Sequence, residues 1–329
     1  EGGKRGEESG ICKEVHNERR WVDGGRGLGG GWIDNPLQAN KFKQAQSVVD
    51  TAREEGINVF DHADIYTFSK AEQAFGEVLK QSPSLRDAMY LQSKCGIRFE
   101  DDLGPGRYDF SAEWVTESLN GILSRLNTEK LDVFLLHRPD PLVELDELAS
   151  ALNQLKQAGK FDYLGVSNMN HHQIQFLQSA LDMPIVANQV EMSLAKLDWL
   201  NDGVMVGTAS QQAINFASGT LEYCRSNHVQ LQAWGSLARG AFSQQGLHSD
   251  SESVRNTTEY IMTLSHKYQV SSEAIVLAFL LRHPASIQAV IGTTNLERIK
   301  ACATSTSVTL TREEWYSLFV TARGTALPH

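Results

Sequence analysis

The sequence has few of the features that accompany export, membrane insertion or a covalently linked scaffold. It contains four cysteines in 329 residues, and no two of them form a C-x-x-C pair: Cys12, Cys95, Cys224 and Cys302. This spacing argues against a disulfide framework and against a zinc site. No apolar run reaches the roughly 18 residues of a membrane span, and no apolar stretch follows a basic N-terminus. We therefore expect neither a transmembrane helix nor a signal peptide, and a cytoplasmic location.

Positive charge is also scarce. There are 30 Lys and Arg residues against 40 Asp and Glu residues, a formal net charge of −10, and no stripe of basic residues. Such a chain is poorly suited to nucleic acid or to an anionic membrane surface. Apolar residues make up 41% of the chain, which is enough for a full core. The composition favours small-molecule chemistry in a monomer or a small homo-oligomer.

From about residue 40 onward, amphipathic helices alternate with short apolar segments. The pattern predicts helices at 41–55, 70–80, 112–126, 144–158, 170–181, 213–227, 252–268, 272–282 and 295–302. It predicts strands at 57–61, 89–94, 131–137, 162–167, 185–190, 229–234 and 288–292. This alternation indicates a parallel sheet in a single-domain (β/α)8 TIM barrel, although one strand is missing from the count.

Only the segment before residue 40 can supply the eighth strand. Residues 21–31 are rich in glycine and poor in apolar side chains, so a strand there is weakly indicated. Gly25 to Gly30 fit G-x-G-x-x-G, but no helix opens directly afterwards, which argues against a Rossmann loop. Residues 1–20 are hydrophilic and predicted to be a flexible lead-in, so the barrel is assigned to residues 21–329.

Four polar residues lie at or shortly after the ends of apolar runs in the predicted strands. They are Asp61, Tyr66, Lys94 and His137, and the C-terminal ends of barrel strands are where α/β barrels place their chemistry. An acid, a phenol, an amine and an imidazole together suggest proton transfer to a carbonyl. That reaction needs a hydride donor, so we expect a nicotinamide cofactor to bind the second half of the chain.

Each of the four residues has a role that its chemistry favours. A phenol is a weak acid, and a neighbouring ammonium lowers its pKa, so Tyr66 is the proposed proton donor and Lys94 the perturbing charge. Asp61 would keep Lys94 charged and oriented through a buried ion pair. His137 would orient the carbonyl and stabilise the developing alkoxide. Taken singly, each residue could also be an ordinary cap, loop aromatic, solvated strand end or buried histidine.

A metal site is the alternative reading of the same loops. Asp61, His62, Asp64 and His137 could together form a hydrolase centre. No H-x-H pair supports it, however, and it leaves Tyr66 and Lys94 without a role.

The four residues, with Ser93-Lys94-Cys95-Gly96 and Leu136-His137-Arg138-Pro139 around two of them, resemble the aldo-keto reductase family, in its bacterial NADPH-dependent branch. The resemblance spans about residues 40 to 320, because four later motifs occur in the same order: Gly165-Val166-Ser167-Asn168, Asn188-Gln189-Val190-Glu191, Trp234-Gly235-Ser236-Leu237 and Ile291-Gly292-Thr293-Thr294-Asn295. It implies a reductase that converts aldehydes or ketones to alcohols.

The resemblance also implies a cofactor site. Ser167, Asn168 and Gln189 match positions that hold the nicotinamide carboxamide, and Trp234 matches an aromatic that stacks on the nicotinamide. The remaining matches are to the phosphate-binding loops: Gly235, Ser236, Leu237, Gly240, Gly292, Thr293, Thr294, Asn295 and Arg298.

The chain departs from the family at two places. Many members have a lysine where this chain has Gly292, so the 2′-phosphate of NADPH depends on Arg298; NADPH is favoured and NADH is possible. Members usually place a pocket-lining aromatic after the first strand, and here Trp32 is the candidate.

The substrate should be chosen by the loops at 97–111, 191–212 and 239–251, whose mixed composition suits a moderately apolar aldehyde or ketone. The competing hypothesis is a cofactor-binding, redox-sensing regulatory subunit built on the same barrel.

Overall fold

The computed structural model of the protein describes residues 21–329. Its strands are β1 (Trp21–Gly24), β2 (Val59–Asp61), β3 (Tyr90–Cys95), β4 (Ile97–Arg98), β5 (Arg107–Tyr108), β6 (Leu131–Leu136), β7 (Phe161–Ser167), β8 (Ile185–Glu191), β9 (Gln230–Trp234) and β10 (Gln288–Ile291). Its α-helices are α1 (Ala39–Glu54), α2 (Lys70–Gln81), α3 (Ala112–Arg125), α4 (Leu145–Gln157), α5 (His171–Gln178), α6 (Asp198–Val204), α7 (Thr220–Ser226), α8 (Glu252–Tyr268), α9 (Ser272–Leu281), α10 (Leu296–Ala303) and α11 (Arg312–Arg323).

Eight strands form a closed parallel barrel in the order β1-β10-β9-β8-β7-β6-β3-β2. One continuous cluster of buried apolar side chains joins the barrel to the helices around it. The prediction of a single-domain (β/α)8 barrel is confirmed. Because the strands are parallel, their C-terminal ends share one rim, and residues that follow different strands can meet there.

The glycine-rich segment supplies the eighth strand. In β1, Trp21 pairs with Ala289 of β10, and Asp23 pairs with Phe60 of β2. The weak signal has a physical cause, because this strand is only four residues long and ends in glycine.

The glycines after β1 are required by close packing. A Cβ at Gly25 would lie 2.5 Å from ring atoms of His62, and a Cβ at Gly29 would lie 2.6 Å from the Lys70 backbone. A short 3-10 turn follows β1, and the next α-helix begins only at Ala39. Although a strand does precede the G-x-G-x-x-G pattern, the helix that a Rossmann loop needs is absent from that place.

Several element predictions need correction. The helix expected at 213–227 begins only at Thr220. Gly219 before it has a left-handed backbone, with φ 83°, so the helix does not extend through it. The loop at 191–212 contains α6, and the loop at 97–111 contains the β4–β5 hairpin. The C-terminal helix α11 was not predicted, although Thr311 and Glu314 form a capping box at its start.

Residues 1–20, including Cys12, lie outside the described residues, so the predicted flexible lead-in remains a prediction. Cys95, Cys224 and Cys302 are buried free thiols. Within residues 21–329, no helix is both long enough and apolar enough to cross a membrane.

Candidate active site

A buried ion pair lies at the rim of β2 and β3. Lys94 Nζ is 2.7 Å from each carboxylate oxygen of Asp61 and 2.7 Å from the carbonyl oxygen of His62. Asp61 is 1% exposed and Lys94 is fully buried. Burial alone would lower the pKa of Lys94, but the Asp61 carboxylate and the Tyr66 oxygen together outweigh it, so this pKa lies above its ordinary value. Lys94 is therefore a fixed cation.

Four glutamine side chains, which we call the amide floor, lie in the barrel beneath this pair: Gln92, Gln189, Gln232 and Gln288. Gln92 and Gln232 exchange hydrogen bonds of 2.9 and 3.0 Å, and Gln232 donates to Gln288 at 3.0 Å. Barrel interiors are more often filled by branched apolar side chains. The glutamine side chains here form hydrogen bonds to one another and to the Asp61 carboxylate above them.

The amide floor holds the Asp61 carboxylate from below. Gln92 Nε2 donates to Asp61 Oδ1 at 2.5 Å, and Gln189 Nε2 donates to the same oxygen at 3.1 Å. Gln189 Nε2 also donates to Gln232 at 3.1 Å. Both amide hydrogens of Gln189 are thus used in the floor, which leaves its carboxamide oxygen to accept from a ligand.

Tyr66 is presented by a left-handed turn between β2 and α2. The three residues after it have φ values of 51°, 56° and 66°, a conformation that residues other than glycine seldom adopt. Thr67 Oγ1 donates to the Leu28 carbonyl at 2.9 Å, and Ser69 Oγ donates to the Asp64 carbonyl at 2.7 Å. These two bonds anchor the strained turn, and such strain is concentrated at functional sites.

The Tyr66 ring lies between the buried cation and the imidazole. Lys94 Nζ is 4.9 Å from the ring centroid of Tyr66, and the ring centroid of His137 is 6.0 Å away. Burial raises the pKa of Tyr66, and the Lys94 charge opposes this only in part, so the pKa lies above its ordinary value. Tyr66 consequently carries its proton at neutral pH.

His137 follows β6 and is uncharged. Burial lowers its pKa well below the ordinary value, and the positive charges of Lys94, Arg138 and Arg26 lower it further. Its Nδ1 atom is buried and has no hydrogen-bond partner among the described residues. A neutral imidazole can donate one N–H to an oxygen in the cleft.

The alternative metal site does not form. His62 packs its ring edge-on against Phe75, with 4.5 Å between centroids, and both ring nitrogens lack partners. Burial and the Lys94 charge lower its pKa to about 3. Across residues 21–329, no three His, Cys, Asp or Glu side chains are grouped so that they could hold a metal ion.

The residues predicted to hold the nicotinamide are linked to one another. Ser167 Oγ donates to the Gln189 carbonyl at 2.8 Å, and Asn168 Nδ2 donates to the His137 carbonyl at 3.2 Å. Trp234 Nε1 donates to Asn168 Oδ1 at 2.9 Å. Asn168 therefore ties the strand end that carries His137 to the aromatic ring of Trp234.

A cleft of about 380 Å³ lies above the ion pair and brings most of the predicted site residues together. Those that line it are Asp61, Tyr66, His137, Ser167, Asn168, Gln189, Trp234, Gly235, Ser236, Leu237, Gly240, Gly292, Thr293 and Arg298. Lys94 lies beneath it, against Asp61. Thr294 and Asn295 lie outside this lining, and Asn295 instead caps α10 by accepting from the Arg298 N–H at 3.0 Å.

The cleft also has residues that the sequence reasoning missed. Arg26, Arg138 and Arg239 line it, and Trp32 lines it as expected. Arg26 and Arg138 each come two residues after the last residue of a barrel strand. The rule that identified His137 would therefore have found them, had it been applied to arginine as well.

Comparison with known proteins identifies the family. The model of the Aldo/keto reductase family matches residues 22–318. The chain is 32% identical over 286 residues to the uncharacterized oxidoreductase YcsN of Bacillus subtilis, covering 86% of this chain and 89% of that one. It is 33% identical over 283 residues to the 6-dehydroglucose reductase of Agrobacterium fabrum, covering 85% and 88%. The chain belongs to the aldo/keto reductase family, and its class is that of the oxidoreductases.

A solved structure agrees in fold. The aldo/keto reductase of Klebsiella pneumoniae in complex with NADP and acetate superposes with a TM-score of 0.68 at 23% identity, covering 90% of this chain and 89% of that one.

Proposed function

We propose that this protein is an NADPH-dependent carbonyl reductase that converts an aldehyde or ketone to an alcohol, with Tyr66 as the proton donor. The observation that carries the proposal is the buried Asp61–Lys94 pair directly beneath a protonated Tyr66 in an open cleft. The similarity to named reductases supports the same class of reaction.

The cleft offers groups that fit the cofactor. Arg239 and Arg298 line the end formed by the loops after β9 and β10, where phosphates would need cations. A Cβ at Gly240 or Gly292 would meet nothing within 4 Å, so the backbone there is open to a ligand. The free carboxamide oxygen of Gln189 can accept from the nicotinamide amide. When bound, the reduced nicotinamide supplies a hydride to the carbonyl carbon.

The residues of the chain then handle the oxygen of the substrate. His137 donates an N–H that orients the carbonyl and stabilises the charge that grows on its oxygen. Tyr66 transfers its phenolic proton to that oxygen, and Lys94 stabilises the phenolate that remains. Asp61, held by Gln92 and Gln189, keeps Lys94 in place.

Binding titrations with NADPH and NADH, followed by turnover of a panel of aldehydes and ketones, test this proposal. A sugar carbonyl belongs in the panel, since one relative is a 6-dehydroglucose reductase. We expect loss of reduced-cofactor absorbance that depends on the carbonyl compound. Tight cofactor binding without turnover of any compound would contradict the reductase and support the redox-sensing subunit.

A further inference from the structure

We propose that the physiological substrate carries an anionic group, a carboxylate or a phosphate, and that Arg26 and Arg138 bind it at the mouth of the cleft. This inference rests on the proposed carbonyl reductase and adds the chemical class of its substrate.

The cleft is positively charged although the chain is acidic. Its lining includes four arginines, Arg26, Arg138, Arg239 and Arg298, and one carboxylate, on a chain whose formal net charge is −10. The carboxylate is that of Asp61, which Lys94 already neutralises. Arg298 also faces the Glu273 carboxylate at 3.6 Å. Among the described residues, the guanidinium charges of Arg26, Arg138 and Arg239 have no carboxylate partner and are available to molecules that enter the cleft.

The four arginines separate into two groups. Arg239 and Arg298 lie with Gly240 and Gly292, at the end assigned to the cofactor phosphates. The other two lie at the end where the carbonyl is to be reduced. The charges of Arg26 and Arg138 both act on His137, and that of Arg26 also acts on Tyr66.

Within the part of the chain that the structure describes, neither arginine of this second group has an anionic partner. Arg98 shows the usual arrangement, since it pairs with Asp101 at 3.1 Å and with Asp109 at 3.0 Å. Among residues 21–329, Arg26 and Arg138 form no such pair. Asp140, which lies two residues from Arg138, accepts from the backbone N–H groups of Phe110 and Leu142 at 2.8 and 2.9 Å.

The surroundings favour a substrate with an apolar body. The Arg26 guanidinium lies 5.8 Å from the ring centroid of Trp32, which is 44% exposed. Trp32 contacts Phe68 edge-on at 6.2 Å, and Phe68 stacks on Phe99 at 4.9 Å. Aromatic side chains beside these two guanidiniums suit a carbonyl compound whose far end carries a carboxylate or a phosphate.

The test compares two aldehydes that differ in one charge, 4-carboxybenzaldehyde and methyl 4-formylbenzoate. We expect wild-type protein to have the higher kcat/KM with the carboxylate. Arg26→Gln and Arg138→Gln should each lower the carboxylate-to-ester ratio by about tenfold, as expected for one charge-assisted contact. The ratio is informative because any general effect of Arg26 on Tyr66 cancels in it.

Three controls sharpen the result. Arg26→Lys should retain much of the preference, because it keeps the charge. Arg53→Gln, on the exposed face of α1, should leave the ratio unchanged. Added salt should reduce the wild-type preference, since it screens exposed charges.

Equal kinetics with both aldehydes in the wild type would overturn the proposal. So would a loss of NADPH affinity in the two glutamine variants with an unchanged ratio, because the arginines would then serve the cofactor. If neither aldehyde is reduced, the reductase itself fails, and binding still tests the anion site. The NADP-loaded protein should then bind 4-carboxybenzaldehyde more tightly than the ester, as read from tryptophan fluorescence, and equal binding would refute the site.

Discussion

The two ends of the cleft are built differently. At the acid end, Asp61 and Lys94 are buried and fixed by bonds to one another and to the amide floor. At the cofactor end, the Arg298 side chain is 47% exposed, and its Nε lies 3.6 Å from Glu273. The acid end is thus assembled before any ligand arrives, whereas the cofactor end depends on exposed groups that a ligand must organise. Substitutions should be far more damaging at the first end than at the second.

The largest effect should come from Tyr66→Phe. This change removes one hydroxyl from the acid end, and we expect kcat to fall by at least the roughly 10²–10⁴ typical of losing a general acid. Binding of NADPH, measured by fluorescence titration, should be nearly unchanged. A purified variant that kept most of its activity would remove Tyr66 from the mechanism.

The next effect concerns the free energy of unfolding, and it compares a buried ion pair with an exposed one. Lys94→Met leaves the Asp61 carboxylate buried without its cation, so the free energy of unfolding should fall by about 3–5 kcal/mol. Lys300→Met is the matched control, since Lys300 pairs with Glu297 at 3.1 Å with side chains that are 47% and 84% exposed. That control should cost about 0–1 kcal/mol. Urea unfolding of both variants measures the difference, and equal losses would contradict a buried ion pair.

In kinetics, Lys94→Met and Asp61→Asn should be far from additive, because the two residues act as one unit. Independent losses in kcat would show that Asp61 does not act through Lys94.

A further prediction concerns pH and the buried histidine His62, next to Asp61. The pKa of His62 falls from 6.5 in the unfolded chain to about 3 in the folded protein, mainly through burial. Between these values the unfolded chain binds a proton that the folded protein does not. The contribution of His62 to the free energy of unfolding should therefore decrease as pH falls, by roughly 1.4 kcal/mol per pH unit.

His62→Asn should remove this contribution. Asp23 has the opposite effect, because burial raises its pKa to about 8, so the wild-type curve alone does not isolate His62. Denaturant unfolding at several pH values should show that the free energy of unfolding of the wild type, relative to that of the variant, falls by about 2 kcal/mol from about pH 7 to about pH 5. Identical pH slopes would mean that His62 is protonated in the folded protein.

The smallest effect is expected at the cofactor end. Arg298→Ala should weaken NADPH by about 1.5 kcal/mol, the low end for a hydrogen bond to a charged group, because the side chain is half exposed. NADH lacks the 2′-phosphate and should change little. The ratio of the two dissociation constants is the quantity to measure. Equal weakening of NADPH and NADH binding would contradict the proposed preference for NADPH.

The same contrast explains what the sequence could predict. Lys94 and His137 were identifiable because each lies at or just past the end of an apolar run, where parallel strands meet. The first strand was weakly indicated because it is only four residues long and is followed by glycines that close packing requires, as Gly25 against His62 shows. Helix α7 was predicted too long because helical periodicity continued through Gly219, whose backbone is left-handed.

The amide floor could not be predicted. In a sequence, Gln92 and Gln232 resemble polar strand residues that face solvent, and only barrel closure shows that they meet. Thr294 and Asn295 were assigned by family resemblance alone, and the cap formed by Asn295 was the plainer interpretation of the same residue.

The amide floor has a consequence for how Tyr66 regains its proton between turnovers. A carboxamide holds its hydrogens firmly and does not relay protons as a chain of water or carboxyl groups does. Under the proposed mechanism, Tyr66 gives up one proton per turnover, and the glutamines beneath it cannot restore that proton from inside the barrel. The replacement must come from solvent through the mouth of the cleft, the same opening by which the alcohol leaves. Release of the alcohol and reprotonation of Tyr66 therefore use the same opening of the cleft.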